Sequence, residues 1–278
     1  MKAEFIRELL HTRQSRVLSL PVKEEASRFA DTLLGILFPH FSETAYYSED
    51  ELAGSLHVVK RDLRSALKPL AAQMPLSVEE TTDRFFHKIP DIYQSLLEDA
   101  EAMYQGDPAA ESVDEVISAY PGFLAIAVHR IAHEFYLLEV PIFPRILTEV
   151  AHQRSGVDIH PGARIGRSLC IDHGTGIVIG ETTEIGDNVK IYQGVTLGAL
   201  SVQKSMKSSK RHPTIQDRVV IYSNATILGG STVIGHDSIV GGNVWLTESV
   251  QAFSIIYNKS ESHVRDTRGE EAYADYVI

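Results

Sequence analysis

The sequence predicts an α+β chain. An all-α half covers residues 1–154. A parallel β-helix follows over 155–258, with one loop extruded at 199–211, and a flexible tail occupies 259–278. Three observations lead there: helix-start signals confined to the first half, a six-residue aliphatic period confined to the second, and a single break in that period.

The helix signals come first. Ser48-x-x-Glu51 and Ser77-x-x-Glu80 fit the capping box, in which a hydroxyl and a carboxylate each satisfy a free backbone N–H. Apolar residues recur at helical spacing in Leu34, Ile36 and Leu37, and again in Ile92, Leu96, Leu97 and Met103 after Pro90. Asp107-Pro108 reads as an N-cap with proline at the first helical position. A longer helix is expected from Phe123 to Val150, kinked at Pro141 and Pro144. This half reads as a bundle without catalysis of its own. His129 and His133, at i and i+4, lack a third ligand nearby and read as one surface and one packed histidine.

From Val157 the period becomes six. Ile159, Ile165, Ile171, Ile177, Thr183, Val189 and Val195 form one series, and Ile215, Ile221, Ile227, Val233, Ile239 and Trp245 a second. Eleven of these thirteen positions are Ile or Val. Glycines follow three residues later, at 162, 174, 180, 186, 198, 230 and 242. An inward aliphatic per hexad with a permissive corner between is the pattern of a hexapeptide β-helix, whose stacked coils bury one column. Between Val195 and Ile215 lie three hexads plus two residues, so residues 199–211 are read as an extruded, functional loop.

Composition narrows the function. Lys and Arg number 26 against 37 acidic residues, a formal charge of −11, which argues against nucleic-acid or membrane-surface binding. The lone Cys170 excludes an internal disulfide and fits a reducing compartment. Acidic residues interrupt the N-terminus before any apolar run, and the apolar stretch 121–128 is too short to span a bilayer. The expectation is a cytoplasmic protein.

Polar candidates gather around His160, His173 and His212. Asp158 precedes His173 by 15 residues, three short of an eighteen-residue coil, which predicts that the two are neighbours on adjacent coils. An aspartate there can hold one imidazole nitrogen and leave the other as a base.

Four runs are similar to one family. They are Val157-Asp158-Ile159-His160-Pro161, Asp172 to Thr182 (Asp-His-Gly-Thr-Gly-Ile-Val-Ile-Gly-Glu-Thr), Gly194-Val195-Thr196-Leu197-Gly198 and Arg211-His212-Pro213. Together they resemble serine O-acetyltransferase, over about 107–245. The resemblance implies a left-handed β-helix, trimers or dimers of trimers with sites between subunits, and acetyl transfer from acetyl-CoA to L-serine for cysteine synthesis. It also implies feedback inhibition by cysteine and no metal. His173 would be the base, acting by direct attack in a ternary complex, and Asp158 its orienting partner. Arg211 would take the serine carboxylate, Asp107 and Asp172 the ammonium, and His212 would lie beside the serine. Pantetheine would run past Gly198, Ala199, Ser223 and Gly241, with Lys204, Lys207 and Lys210 supplying positive charge. The terminal Ile278 matches the family habit of binding O-acetylserine sulfhydrylase. The loop is longer than in well-known members, and Tyr222-Ser223-Asn224 and Gln251-Ala252-Phe253-Ser254 depart from the family pattern. A hexapeptide O-acetyltransferase with another hydroxyl acceptor and a γ-type carbonic anhydrase with three histidine ligands are the alternatives.

Overall fold

A computed structural model describes residues 3–15, 23–201 and 209–259. The centre of the loop, with Lys204 and Lys207, and the tail from 260 to Ile278 lie outside the described residues. Helices α1 (Ala3–Ser15), α2 (Lys23–Leu37), α3 (Glu49–Leu67), α4 (Val78–Gly106), α5 (Val113–Ala119), α6 (Pro121–Leu137) and α7 (Phe143–Ser155) precede a three-sided parallel β-solenoid. The predicted fold class is therefore the observed one.

Both predicted capping serines are in place: Ser48 Oγ accepts from Glu51 N at 3.2 Å and Ser77 Oγ from Glu80 N at 3.1 Å. Two helix expectations need correction. The segment 123–150 is two helices, because the chain turns between Leu137 and Phe143 instead of kinking through Pro141. Asp107 does not start a helix. It is the C-cap of α4, and its Oδ1 accepts from Ala109 N at 2.8 Å in a local turn that Pro108 favours.

The helical core is aromatic: Phe85 stacks on Phe135 at 4.2 Å, with Phe29 and Phe143 set edge-on around them. A buried ion pair ties this core to the first coil. Asp99 on α4 accepts from Arg130 Nε (2.5 Å) and Nη2 (2.7 Å) on α6 and from Leu169 N (2.9 Å), while Arg130 also donates to the Gly166 carbonyl at 2.8 Å. Removing one member strands the other in a dry site, which costs about 3–5 kcal/mol. Asp99→Ala should therefore lower Tm by roughly 10 °C. A melting curve superimposable on the parent's would show the pair to be dispensable.

Each solenoid face is a ladder of very short strands. The first face carries β1 (Asp158–Ile159), β4 (Val178–Ile179), β7 (Thr196–Gly198), β10 (Thr226–Leu228) and β13 (Trp245–Leu246). The second carries β2 (Arg164–Ile165), β5 (Glu184–Ile185), β8 (Thr214–Ile215) and β11 (Val233–Ile234). The third carries β3 (Cys170–Asp172), β6 (Lys190–Tyr192), β9 (Val220–Ile221), β12 (Ile239–Val240) and β14 (Ile255–Ile256).

Register shows where the coil is irregular. Val178 pairs with Thr196, eighteen residues on, but Asp158 pairs with Val178 across twenty, Thr196 with Thr226 across thirty and Thr226 with Trp245 across nineteen. The first excess is a two-residue expansion of the corner after Asp172, the second is the loop, and the third falls near Gly229-Gly230. These insertions correct the hexad count. On the first face the aliphatics that stack inward are Ile159, Ile179, Leu197, Ile227 and Leu246. Ile177, Thr183, Val189 and Val195 are buried too, in the second inward column of each coil. After Ile227 the extra residue moves Ile234 and Val240 inward in place of Val233 and Ile239, and turns Trp245 out, 66% exposed.

Candidate active site

Two edges of the first face carry the sequence-predicted residues. One edge, where the third face turns into the first, holds His173 and, in later coils, Ser223 and Gly241. The other, where the first turns into the second, holds His160, Gly198, Ala199, Arg211 and His212. Asp158 lies on the face between them, and Asp107 joins from the helical half.

The His173 edge is built by its two extra residues. His173, Gly174 and Gly176 have φ of 57°, 90° and 81°, positive values that glycine tolerates and that cost the histidine ~1–2 kcal/mol. The corner bulges and its imidazole is 73% exposed. It lines a cleft of ≈380 Å³ with Asp107, Tyr120, Gly122, Asp172 and Thr175. Gly122 lets α6 approach, since a Cβ there would stand 2.7 Å from the Ile171 carbonyl. Asp107 and Asp172 thus line one cleft with His173 inside a single chain.

Each carboxylate has a committed neighbour. Tyr120 donates to Asp107 Oδ2 at 2.6 Å, and Lys190 Nζ lies 2.9 Å from Asp172 Oδ2. Hydrogen bonds from Tyr120 and then Ala109 N hold the Asp107 carboxyl below its ordinary range, while Asp107 pushes the Tyr120 phenol up to about 12. Asp107 is an anion and Tyr120 keeps its proton. His173 Nε2 stands 3.7 Å from Asp172 Oδ1.

Asp158 is placed differently from the spacing argument. Its coil has twenty residues, so His173 falls five residues short of alignment with Asp158. Among the described residues no hydrogen bond or ion pair joins the two. Asp158 Oδ1 faces Arg145 of α7 at 3.9 Å. The backbone does hold this strand against the corner, through Asp158 N to the Ile177 carbonyl at 2.9 Å.

The His212 edge is organised by Thr182. Its Oγ1 accepts from Arg211 N (2.9 Å) and His212 N (3.1 Å), landing the returning loop on the coil below. Thr182 N donates to His212 Nδ1 at 3.1 Å, which places the proton of the neutral ring on Nε2. Burial, and then the Arg211 guanidinium, depress the His212 pKa to about 4. The ring is therefore a neutral Nε2–H donor near pH 7. It lies over Gly180, where any Cβ would collide with it.

Arg211 is 14% exposed and donates through Nη2 to Glu181 Oε2. Tyr136 of α6 donates to Glu181 Oε1 at 3.1 Å. Burial raises the Glu181 carboxyl, but Arg211, His160 and Tyr136 outweigh it and hold the group below its ordinary value. Lys210 turns inward, to the Thr182 carbonyl at 2.7 Å and Glu184 at 3.5 Å.

Sequence pattern alone gives no role to Glu181, Thr182, Tyr120, Tyr136 or Lys190. Glu181-Thr182 closes the run that begins at Asp172, whereas the tyrosines carry no signal. His160, His173 and His212 do not converge within the chain. Glu149, His152 and Asp158 do have ligand-type atoms within 4.8 Å of one another.

No protein-family model matches the chain. A curated relative, the plasmid-borne serine acetyltransferase of Synechococcus elongatus, is 42% identical across 94% of this chain and 88% of its own length. The chain belongs to the serine acetyltransferases. The Bacillus subtilis serine acetyltransferase is 44% identical over 59% of this chain and 73% of its own. Among solved structures, Entamoeba histolytica serine acetyltransferase 1 in complex with L-cysteine aligns at a TM-score of 0.75 and 34% identity, covering 82% of this chain and 86% of that one. The Neisseria gonorrhoeae serine acetyltransferase in complex with serine aligns at 0.59 and 28%, covering 86% and 94%. The solenoid and its preceding helices are thus the architecture of this acetyltransferase family.

Proposed function

We propose that this chain transfers the acetyl group of acetyl-CoA to the hydroxyl of L-serine, giving O-acetyl-L-serine and CoA as the first step of cysteine synthesis. The observation that carries this reading is the pair of built edges. One offers an exposed imidazole between two carboxylates, and the other a guanidinium beside a neutral imidazole. An amino acid needs both: anions for its ammonium, a cationic fork for its carboxylate and a base for its hydroxyl.

His173 takes the hydroxyl proton as the serine oxygen bonds to the acetyl carbon. The carbon–sulfur bond then breaks, and the proton passes to the CoA thiolate. No acyl-enzyme is required, since both substrates are held together. Asp158 is the proposed orienting carboxylate, reached from the strand that flanks the His173 corner. Asp107 and Asp172 take the ammonium, Arg211 the carboxylate, and His212 donates through Nε2–H beside the serine. Cysteine carries the same ammonium and carboxylate with a thiol in place of the hydroxyl, so it fits the serine site as an inhibitor.

The two edges flank one face, so a single chain leaves each half of the site open. In a trimer with first faces turned to the axis, the His173 edge of one copy meets the His212 edge of the next. Two such trimers could join through the helical half. Pantetheine would lie in the same seam, past Ser223 and Gly241 on one side and Gly198 and Ala199 on the other. The cellular setting proposed is the cytoplasm. No described helix is long and apolar enough to cross a membrane.

Thiol release from acetyl-CoA tests the activity. L-serine should drive it, and acceptors lacking the carboxylate or the hydroxyl should do so poorly. Equal rates with any alcohol would favour a different acceptor. The C-terminal segment ending at Ile278 is proposed to bind O-acetylserine sulfhydrylase. Deleting Asp275 to Ile278 should abolish that association, and retained affinity would exclude it.

A further inference from the structure

We infer that Tyr136, carried by the helical half, is a positioning residue for the substrate carboxylate, acting through Glu181 on Arg211. This rests on the assignment of Arg211 to that carboxylate.

The three groups form one chain across the gap between α6 and the solenoid. Tyr136 Oη donates to Glu181 Oε1 at 3.1 Å, and Glu181 Oε2 accepts from Arg211 Nη2. The Glu181 side chain is 18% exposed. With one oxygen on the guanidinium, its other would be poorly solvated without the phenol, and a half-satisfied carboxylate is free to turn. Held at both oxygens it cannot turn, and it pins one side of a planar guanidinium. The guanidinium plane is then held in one orientation toward the incoming carboxylate. Fixing that orientation before substrate arrives removes an ordering cost from binding.

The phenol's place is also constructed. It lies over Gly162, where a Cβ would stand 2.8 Å from Cζ and 2.9 Å from Oη. The His160 ring meets it edge-on at 6.0 Å, and the His133 ring lies parallel to it at 6.4 Å. Burial, and then Glu181, raise the Tyr136 pKa, so the phenol stays a donor. Its shape fits this one hydrogen bond.

A plain staple between the helical half and the solenoid would predict a different outcome from a positioning role. Tyr136→Phe removes one hydroxyl and keeps the ring. Its KM for L-serine should rise about tenfold, as for loss of one hydrogen bond to a charged group. Its kcat should stay within about threefold, and its KM for L-serinamide, which lacks the carboxylate, should not move. In the Glu181→Gln background the same substitution should add nothing. An unchanged KM for L-serine, or an equal rise for both acceptors, overturns the proposal. If the parent enzyme binds L-serinamide as well as L-serine, the Arg211 assignment fails, and the relay fails with it.

Discussion

Replacing His173 by alanine is expected to lower kcat for L-serine acetylation by about 10²–10⁴-fold, with KM for L-serine changed far less. The cleft explains the size of the effect. Asp107 is held as an anion by Tyr120 and Ala109, and the Tyr120 phenol, at about 12, keeps its proton. Lys190 is committed to Asp172 and the Gly106 carbonyl. No group among these is placed to take the hydroxyl proton if the imidazole is removed. The imidazole makes no buried packing contact that alanine would forfeit, so stability should hold. Steady-state kinetics with equal melting curves check this, and a variant with near-parental turnover would remove His173 from the mechanism.

Replacing Arg211 by alanine should reduce kcat/KM for L-serine by about 10²–10³-fold, expressed mainly in KM. Two effects add. The substrate carboxylate loses its fork, and Glu181 is left without its cation in a site where burial already raises its carboxyl. Any charge that Glu181 keeps then repels the incoming carboxylate. Titrating KM against pH separates the two, because protonating Glu181 should recover part of the loss as pH falls. A flat profile would leave lost attraction as the whole effect.

The fold was legible because a six-residue aliphatic repeat has few physical realisations. Its phase was not. Both inward columns of each coil accept Ile and Val, so the count passed from Ile171 to Ile177 without registering the two residues inserted at the His173 corner. The same insertion upset the placement of Asp158. Asp107-Pro108 misled for a related reason: an Asx turn at a helix end and an N-cap at a helix start use the same residues. His173, Asp172, Arg211 and His212 were legible as a pattern, and Asp107 and Asp172 do come together with His173. The partners that set their chemistry were not, since Glu181 meets Arg211 across 30 residues and Tyr136 reaches Glu181 across 45. Which corners stack is decided by the coil lengths, which only the folded chain displays. The helical half, read as a bundle without catalysis, supplies Tyr120 to one edge and Tyr136 to the other from opposite ends of α6.

The proposed site joins the His173 edge of one copy to the His212 edge of another. Co-expressing His173→Ala with Arg211→Ala distinguishes this from a site within one chain. Each variant alone should be nearly inactive. Random mixing in equal amounts should return about a quarter of parental activity, because about one junction in four then joins an intact His173 edge to an intact Arg211 edge. A mixture no more active than the two separate proteins would mean that both edges serve a single chain and that no shared site forms.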